Sequence, residues 1–304
     1  MTPDLAILYE HPLWFEPLFS ALDRRGVSYE KIRLTDHRFD PADASVPAPV
    51  ILSRVAMSSF LRESEHGIFY AQSLLAHWAA NGATVLNGAD ALAIDTSKAR
   101  QLSLISRLGY SVPETRIVHR RDQLVRAAEG MAFPLLVKAN IGGSGAGIVR
   151  YSSAEELARS VAELTAPESV DNVLLVQDYV PPRGGSIVRM ETLAGRFLYA
   201  IEVESGGDNF DLCPADACAV TRGPIRMAAV DPGPKLIEAA ERIAEAARLD
   251  VGGVEVVIDD RDGVPRFYDI NALSNFVARP IEILGWDPHE RLLDRIEAAI
   301  QART

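Results

Sequence analysis

The chain has 304 residues, a formal net charge of −11, 48% hydrophobic residues and 24% charged residues. This composition is that of an ordinary globular protein, and the length indicates about two domain-sized units. The sequence contains no run of about 18 apolar residues, so we expect no membrane partner, and the acidic charge argues against nucleic acid as a partner. Because no basic segment precedes the first apolar stretch, we expect no signal peptide and a cytoplasmic location.

Strands and helices alternate along the first 95 residues. Apolar segments predict strands at 4–10, 27–34, 50–55 and 84–88. Amphipathic segments predict helices at 13–26 and 67–82, each of which ends at a glycine. Because strands that alternate with helices form parallel sheets, we assign residues 1–95 to an N-terminal, doubly wound α/β domain.

The rest of the sequence predicts two α+β units. Residues 96–180 contain a helix that stops at a glycine, a glycine-rich strand pair, and a helix that Ser153 and Glu156 begin with a capping box. Residues 181–304 alternate strands with the loop GGDNFDLCPADAC and two later helices. The two cysteines of that loop, Cys213 and Cys218, are too few for a disulfide framework or a complete zinc site.

The segment LLVKANIGGSGAGIVRY, residues 135–151, has a lysine at the end of an apolar strand and before a glycine-rich loop. A Walker loop has its lysine after the last glycine, a dinucleotide-binding loop leads directly into a helix, and a G-x-S-x-G elbow needs glycine where Ala146 stands. Here a second strand follows, so the pattern predicts a hairpin whose backbone N–H groups can bind phosphates, with Lys138 beneath it. A surface hairpin with an exposed lysine is the alternative that the loop alone leaves open.

The segment GGVEVVIDDRDGVPRFYDIN predicts an antiparallel hairpin that turns at RDG. The predicted register places Val256 opposite Tyr268 on one face. On the other face Glu255 lies opposite Asp269, and Asn271 follows two residues later. Facing carboxylates repel each other unless a positive charge lies between them, and these oxygen donors suit Mg²⁺. A solvated polar face without metal is the alternative.

These motifs, in this order, resemble those of the ATP-grasp superfamily, in its branch of RimK-like and glutathione-synthetase-like carboxylate–amine ligases. The resemblance is strongest from residue 96 to residue 276 and rests on SKARQLSLISRLGYSVPET, the glycine loop, VQDYV, SIVRMET and the two strands EVVI and FYDIN. It implies an ATP-grasp fold in which residues 1–95 form the pre-ATP-grasp domain, 96–180 the central subdomain and 181–304 the C-terminal subdomain. It also implies ATP and Mg²⁺, which Mn²⁺ can replace.

The resemblance assigns roles to residues that match the family motifs. Those expected to bind ATP are the two lysines, the glycine loop, the adenine hinge and the position near the ribose: Lys98, Lys138, Gly142, Gly143, Ser144, Gly145, Ala146, Gly147, Gln177, Asp178, Tyr179, Val180 and Ser186. Those expected to bind Mg²⁺ are Glu255, Asp269 and Asn271. The expected catalytic residues among them are Arg189, which faces the γ-phosphate or acyl phosphate, and Asn271. Apart from the family motifs, Arg279 after NALSNFVA completes the predicted catalytic set as a residue that could hold a substrate carboxylate, with a surface arginine as the alternative. Ser186 departs from the family, which often has an acidic residue there.

Candidate substrate-binding residues lie at three places. Arg54 ends an N-terminal strand, where doubly wound sheets present ligand-binding side chains. Asn209 and Asp211 stand where RimK-type ligases carry an R-x-N segment, and this departure weakens the expectation of glutamate specificity. Asn275 lies shortly after the metal motif.

The implied reaction joins a small-molecule or peptide carboxylate to an amine through an acyl phosphate, with release of ADP and phosphate. Relatives are often dimers or tetramers, so a homo-oligomer is compatible with the resemblance. A phosphotransferase that acts on a hydroxyl and a nucleotide-binding module without catalysis are the alternatives. An oxidoreductase is disfavoured because no helix follows the glycines.

Overall fold

The computed structural model describes residues 2–11, 13–62, 66–143, 145–204 and 226–303. Its first sheet has the strands β1 (Leu5–Tyr9), β2 (Tyr29–Arg33), β3 (Val50–Arg54) and β4 (Thr84–Leu86). They pair in parallel in the order β2-β1-β3-β4, with helices α1 (Glu16–Arg25), α2 (Gly67–Ala80) and α3 (Ala89–Asp95). The predicted N-terminal α/β architecture is therefore confirmed. Helix α1 ends as predicted, because Gly26 adopts the left-handed conformation at φ 67°.

The central part of the chain forms an antiparallel sheet. Its elements are α4 (Lys98–Arg107), β5 (Thr115–Val118), α5 (Leu124–Ala128), β6 (Leu135–Gly143), β7 (Ala146–Tyr151), α6 (Ala154–Ala162) and β8 (Leu174–Asp178). The strand order is β5-β8-β6-β7. The capping box of α6 forms with one difference: Ser153 caps Glu156 N–H, but the Glu156 carboxylate accepts from Ser152 N–H.

The C-terminal part forms a second antiparallel sheet in the order β11-β10-β9-β12-β13. Its elements are β9 (Ser186–Leu193), β10 (Arg196–Glu204), β11 (Met227–Ala229), α7 (Pro234–Ala246), β12 (Val251–Ile258), β13 (Pro265–Asn271), α8 (Pro280–Leu284) and α9 (Pro288–Gln301). The sequence predicted neither β11 nor α8, which have only three and five residues. Such short segments carry too little periodicity to be recognised.

The N-terminal and C-terminal sheets share one hydrophobic core. Ile7 and Phe15 belong to the same buried cluster as Tyr199, Phe276 and Leu293. The three sheets fall within the three predicted segments, and the division into domains at residues 95 and 180 stays a prediction. No helix of the described residues is long and apolar enough to cross a membrane. Ser144, Asn209, Asp211, Cys213 and Cys218 lie outside the described residues.

The buried side chain of Asn87, just after β4, joins the N-terminal sheet to the C-terminal one. Its Nδ2 donates to Val251 O and Ala272 O, each at 2.6 Å, and its Oδ1 accepts from Asp250 N–H at 2.7 Å. These contacts satisfy backbone groups at the start of β12 and just after β13. Asn87 therefore fixes the position of β12 and β13, which carry the predicted metal ligands, relative to the first sheet.

We expect Asn87→Ala to lower the free energy of unfolding by about 3 kcal/mol, because it leaves several buried backbone groups without partners. Urea unfolding followed by circular dichroism measures this change. Asn81→Ala is the matched control, since the Asn81 side chain caps the end of α2 and contacts only His77, four residues away, among the described residues. Equal stability of the two variants would show that the Asn87 contacts do not hold the sheets together.

Candidate ATP and metal site

Strands β12 and β13 bring the predicted metal ligands together. Glu255 lies opposite Asp269, as predicted, but Val256 lies opposite Phe267 and not Tyr268. The prediction assumed a three-residue turn, whereas Asp259 pairs with Val264 around the longer turn 260–263. A β-bulge between Glu255 and Val256 then restores the predicted register at Glu255.

The two carboxylates and the amide of Asn271 form one polar group. Asn271 Nδ2 lies 3.2 Å from Glu255 Oε1 and 3.4 Å from Asp269 Oδ2. Burial and the negative charge of Asp269 raise the pKa of Glu255. Rotating the amide by half a turn would present its oxygen instead of its nitrogen, and two carboxylates with an amide oxygen suit Mg²⁺. The side chains present therefore fit this ion.

Two buried cations hold these carboxylates. Lys98 Nζ lies 2.6 Å from Asp269 Oδ1, and Arg189 Nη1 lies 3.0 Å from Glu255 Oε1. Arg189 Nε also donates to Glu191 Oε1 at 2.6 Å. Burial disfavours the charged form of Lys98, but Asp269 more than offsets this effect, so the pKa of Lys98 is raised. Positive charge is thus concentrated beside the predicted metal ligands.

Lys138 lies on β6 and, unlike Lys98, has no carboxylate partner in the part of the chain that the structure describes. It is 7% exposed, and its Nζ is 5.5 Å from the centre of the Tyr268 ring. Among the described residues it forms no ion pair, and burial together with the charge of Lys98 lowers its pKa to about 8. Lys138 is therefore a cation available to a further anion at the site.

The glycine loop joins β6 to β7 as an antiparallel hairpin, so the predicted second strand is confirmed. Gly143 has φ 128°, and a Cβ added there would lie 2.7 Å from Ser58 Cβ. Gly147 has φ 73°, and its added Cβ would lie 2.6 Å from Ala139 Cβ. Gly142, Gly145 and Ala146 complete the described part of the loop. Glycine is needed at Gly143 because the loop lies directly against the turn that follows β3.

We expect Gly143→Ala to lower turnover about tenfold or more, because the added methyl group would push the loop away from Ser58. The Michaelis constant for ATP and the turnover number measure this effect. Gly184→Ala is the control, since Gly184 also has positive φ, at 69°, but an added Cβ there meets nothing within 4 Å. Similar activity of the two variants would show that the contact with Ser58 has no functional role.

The predicted adenine hinge lies at the end of β8. Gln177 Nε2 donates to Thr115 Oγ1 at 2.8 Å, and Asp178 pairs with Arg261 at 2.6 Å. The backbone N–H groups of Asp178 and Tyr179 donate to Glu114 O and Pro134 O. If adenine bound to these two N–H groups, the protein would have to break its own hydrogen bonds. Adenine binding through backbone carbonyl groups of the hinge would not require this.

The other predicted residues lie at different places. Ser186 Oγ donates to Glu202 on β10, and Val180 packs against the core shared by the N-terminal and C-terminal sheets. Arg279 does not join the cluster. It is the residue before α8, and its side chain is 58% exposed and pairs with Glu282 in that helix at 3.0 Å. Arg54 is buried in the shared core and donates to Ser274 O.

Comparison with known proteins places this geometry in a family. The RimK-like ATP-grasp domain matches residues 95–277, which is more than half of the chain. The chain belongs to the RimK-like ATP-grasp family. Its structure resembles that of the ATP-grasp ligase PsnB complexed with a phosphomimetic variant of the minimal precursor, Mg and ADP, with a TM-score of 0.73, 16% identity and 99% of each chain covered.

Two curated relatives of this RimK-like chain are named as glutamate ligases. A probable alpha-L-glutamate ligase of Stutzerimonas stutzeri (strain A1501) is 27% identical over 62% of this chain and 60% of the relative. The ribosomal protein bS6–L-glutamate ligase of Shigella boydii serotype 4 (strain Sb227) is 29% identical over 67% of this chain and 64% of the relative. The chain thus matches less than two thirds of the length of either relative.

Several residues that position the RimK-like site were missed from the sequence. Asn140 Oδ1 accepts from Ala99 N–H at 2.9 Å and so joins β6 to the start of α4, which carries Lys98. Gln101 bonds both the N–H and the carbonyl of Ile270, next to Asp269. These contacts join distant segments, and no local pattern signals them.

Two missed carboxyl groups lie beside the same cluster. Glu191 was detectable, because it lies two residues after Arg189 on one face of β9. Asp95 accepts from Ala272 N–H at 2.7 Å, and its burial raises its pKa to about 7.

Proposed function

We propose that this protein is an ATP-dependent carboxylate–amine ligase that forms an amide bond through an acyl phosphate and releases ADP and phosphate. The observation that carries the proposal is the buried cluster of Lys98, Arg189, Glu255 and Asp269, with Lys138 beneath the glycine loop. We propose that this cluster, which collects positive charge and oxygen donors within the matched RimK-like domain, binds the nucleotide phosphates. The cytoplasm, where ATP is abundant, is the compartment we propose.

In this proposal the three buried cations have different tasks: one binds a phosphate of ATP directly, and two hold the metal-binding carboxylates. Lys138 has no carboxylate of its own, so it is the cation that gains most from a phosphate oxygen. Lys98 and Arg189 remain bound to carboxylates and hold these in place. Glu255, Asp269 and Asn271 would hold Mg²⁺, which shields the charge of the β- and γ-phosphates. Preorganised charges of this kind stabilise a transition state without having to reorient.

The chemistry then needs no nucleophile from the protein. An oxygen of the substrate carboxylate attacks the γ-phosphorus, and the bond from that phosphorus to the ADP oxygen breaks. The amine nitrogen next attacks the acyl carbon, the bond from carbon to the phosphate oxygen breaks, and the nitrogen loses a proton to solvent. The glycine loop, which lies against the turn after β3, shields the acyl phosphate from water.

The substrates are proposed by class. One curated relative is named as a probable alpha-L-glutamate ligase and the other as a ribosomal protein bS6–L-glutamate ligase, and PsnB structures are complexed with a minimal precursor or a precursor peptide. We propose that this chain also takes a small-molecule or peptide carboxylate and an amine as its partners. The residues at Asn209 and Asp211 differ from the R-x-N segment, so we do not assign glutamate as the added amino acid.

Turnover with a panel of acids and amines tests the proposal. The purified protein is incubated with Mg·ATP, amino acids and short peptides, and ADP, phosphate and products are measured by chromatography and mass spectrometry. We expect release of ADP and phosphate that depends on a carboxylate, and a product lighter by one water than its two precursors. A phosphorylated hydroxyl compound without free phosphate would instead identify a phosphotransferase.

A further inference from the structure

Arg54 is a buried cation at the junction of the N-terminal and C-terminal sheets. It ends β3, its side chain is 2% exposed, and its guanidinium lies 5.6 Å from the centre of the Phe15 ring. The carboxyl ends of strands in a doubly wound sheet are where ligands bind. The turn that follows β3 contacts the glycine loop at Ser58. Arg54 is therefore close in sequence to a residue that touches the proposed phosphate-binding loop.

The guanidinium of Arg54 uses only part of its hydrogen-bonding capacity. Its Nη2 donates to Ser274 O, whereas its Nε and Nη1 have no partner among the described residues. Burial lowers the pKa of Arg54 to about 10, against the attraction of Glu191, so the group remains charged at neutral pH. A buried charge with unfilled donors is unfavourable unless something else binds it.

Arg189 is a buried arginine of the same molecule that is paired with carboxylates. Its Nε and Nη1 donate to Glu191 and Glu255. Among the described residues no carboxylate pairs with Arg54, although the charge of Glu191 attracts it. If Arg54 only joined the two sheets, its bond to Ser274 O would not require a positive charge. The donors that are unfilled among the described residues are therefore available to a bound anion.

Two buried acceptors are also unfilled among the described residues. Asn275, the residue after the carbonyl that Arg54 binds, has a buried Oδ1 without a partner among the described residues. Glu191 Oε2 is likewise buried and unpaired, while Glu191 Oε1 is bound to Arg189. A ligand with a carboxylate next to a hydrogen-bond donor would satisfy both kinds of atom, and an α-amino acid has this arrangement.

We propose that Arg54 binds a substrate carboxylate that is not the one activated by ATP, with Asn275 accepting a hydrogen bond from the same molecule. This inference rests on the proposed ligase function. Arg54 then acts as a specificity residue: it selects a substrate with a free carboxylate and turns that molecule toward Arg189 and the phosphates. Glu191, whose charge acts on Arg54, accepts a hydrogen bond from Arg189 Nε at 2.6 Å and so links this site to the catalytic cluster.

Pairs of substrates that differ only in one carboxylate test this role. L-Glutamate, L-alanine and L-lysine are each compared with their α-amides, with Mg·ATP and the acid or amine that the panel identifies. For the wild type we expect kcat/KM to be about 30-fold higher for the free acid, as one charge-assisted contact predicts. Arg54→Gln should reduce this ratio to about threefold or less and leave the Michaelis constant for ATP unchanged.

Controls make the outcomes decisive. Arg107→Gln, at an exposed position at the end of α4, should keep the full ratio. If Arg54→Gln does not fold, Arg54→Lys keeps the charge but loses the planar fork, and it should lower the ratio several-fold. A ratio that stays at its wild-type value in the folded variant, or a wild type that does not prefer the free acid, would overturn the proposal.

A failure of the ligase proposal can be told apart from a failure of this one. If no pair supports turnover, calorimetry in the presence of Mg²⁺ and a non-hydrolysable ATP analogue measures the same preference in binding. Stronger binding of the free acids by the wild type but not by Arg54→Gln would support the Arg54 site even without the ligase reaction. Equal binding by both proteins would refute it.

Discussion

Replacing Asp269 by alanine is expected to lower kcat about a thousandfold or more while leaving the fold intact. The carboxylate has two tasks in the structure: it binds Lys98 at 2.6 Å, and it faces Glu255 as one of the proposed Mg²⁺ ligands. Its removal leaves Lys98 buried without its partner and removes an oxygen donor from the ion. Both losses weaken the electrostatic stabilisation of the charge that develops during phosphoryl transfer.

The measurement is ADP release at saturating Mg·ATP, with circular dichroism to check the fold. Asp260→Ala is the control, because Asp260 lies in the turn of the same hairpin and its side chain is 65% exposed. Asp269→Asn keeps an oxygen but not the charge, so we expect an intermediate loss. Turnover near the wild-type level in Asp269→Ala would remove Asp269 from the metal site.

Lys138→Ala is expected to weaken ATP binding about 100-fold, which is about 2.7 kcal/mol. Lys138 is buried, cationic and without an ion pair among the described residues, so a bound phosphate would be its first strong partner. The loss should appear mainly in affinity, because the alanine variant keeps Lys98 and Arg189 for the reaction itself. The expected effect of Lys138→Ala on ATP affinity thus differs from the expected effect of Asp269→Ala on kcat.

Isothermal titration calorimetry with a non-hydrolysable ATP analogue and Mg²⁺ measures the affinity directly. Lys235→Ala is the matched control, since Lys235 is an exposed lysine in the first turn of α7. An affinity unchanged from the wild type in Lys138→Ala would refute a phosphate contact, and the alternative of a lysine with only a structural role would then stand.

Local pattern was enough to predict most of the architecture. Alternation of strands and helices gave the parallel N-terminal sheet. The position of Lys138 before the glycines excluded a Walker loop, and the strand-like segment after them distinguished the β6–β7 hairpin from a dinucleotide-binding loop. Period-two alternation placed Glu255 opposite Asp269, because residues on one face of a strand repeat every second position. These features depend on neighbours in sequence.

Features that depend on long-range contacts were not predictable in the same way. The predicted pairing of Val256 with Tyr268 was wrong because the turn is longer than predicted. The β-bulge before Val256 compensates for the longer turn, so the predicted pairing holds again at Glu255. Arg279 lies at a left-handed backbone position, φ 49°, before α8 and points away from the cluster, which its place in the sequence did not reveal. Asn87 and Gln101 act across distances of more than 160 residues.

The acyl phosphate is the central claim, and transfer of oxygen from the acid to phosphate tests it most directly. The acid that supports ADP release is labelled with ¹⁸O in its carboxylate, and the released phosphate is analysed by mass spectrometry. Because that carboxylate oxygen remains on phosphorus when the amine attacks the acyl carbon, we predict one ¹⁸O atom in each phosphate. Phosphate without the label would show that the carboxylate is never phosphorylated and would contradict the account.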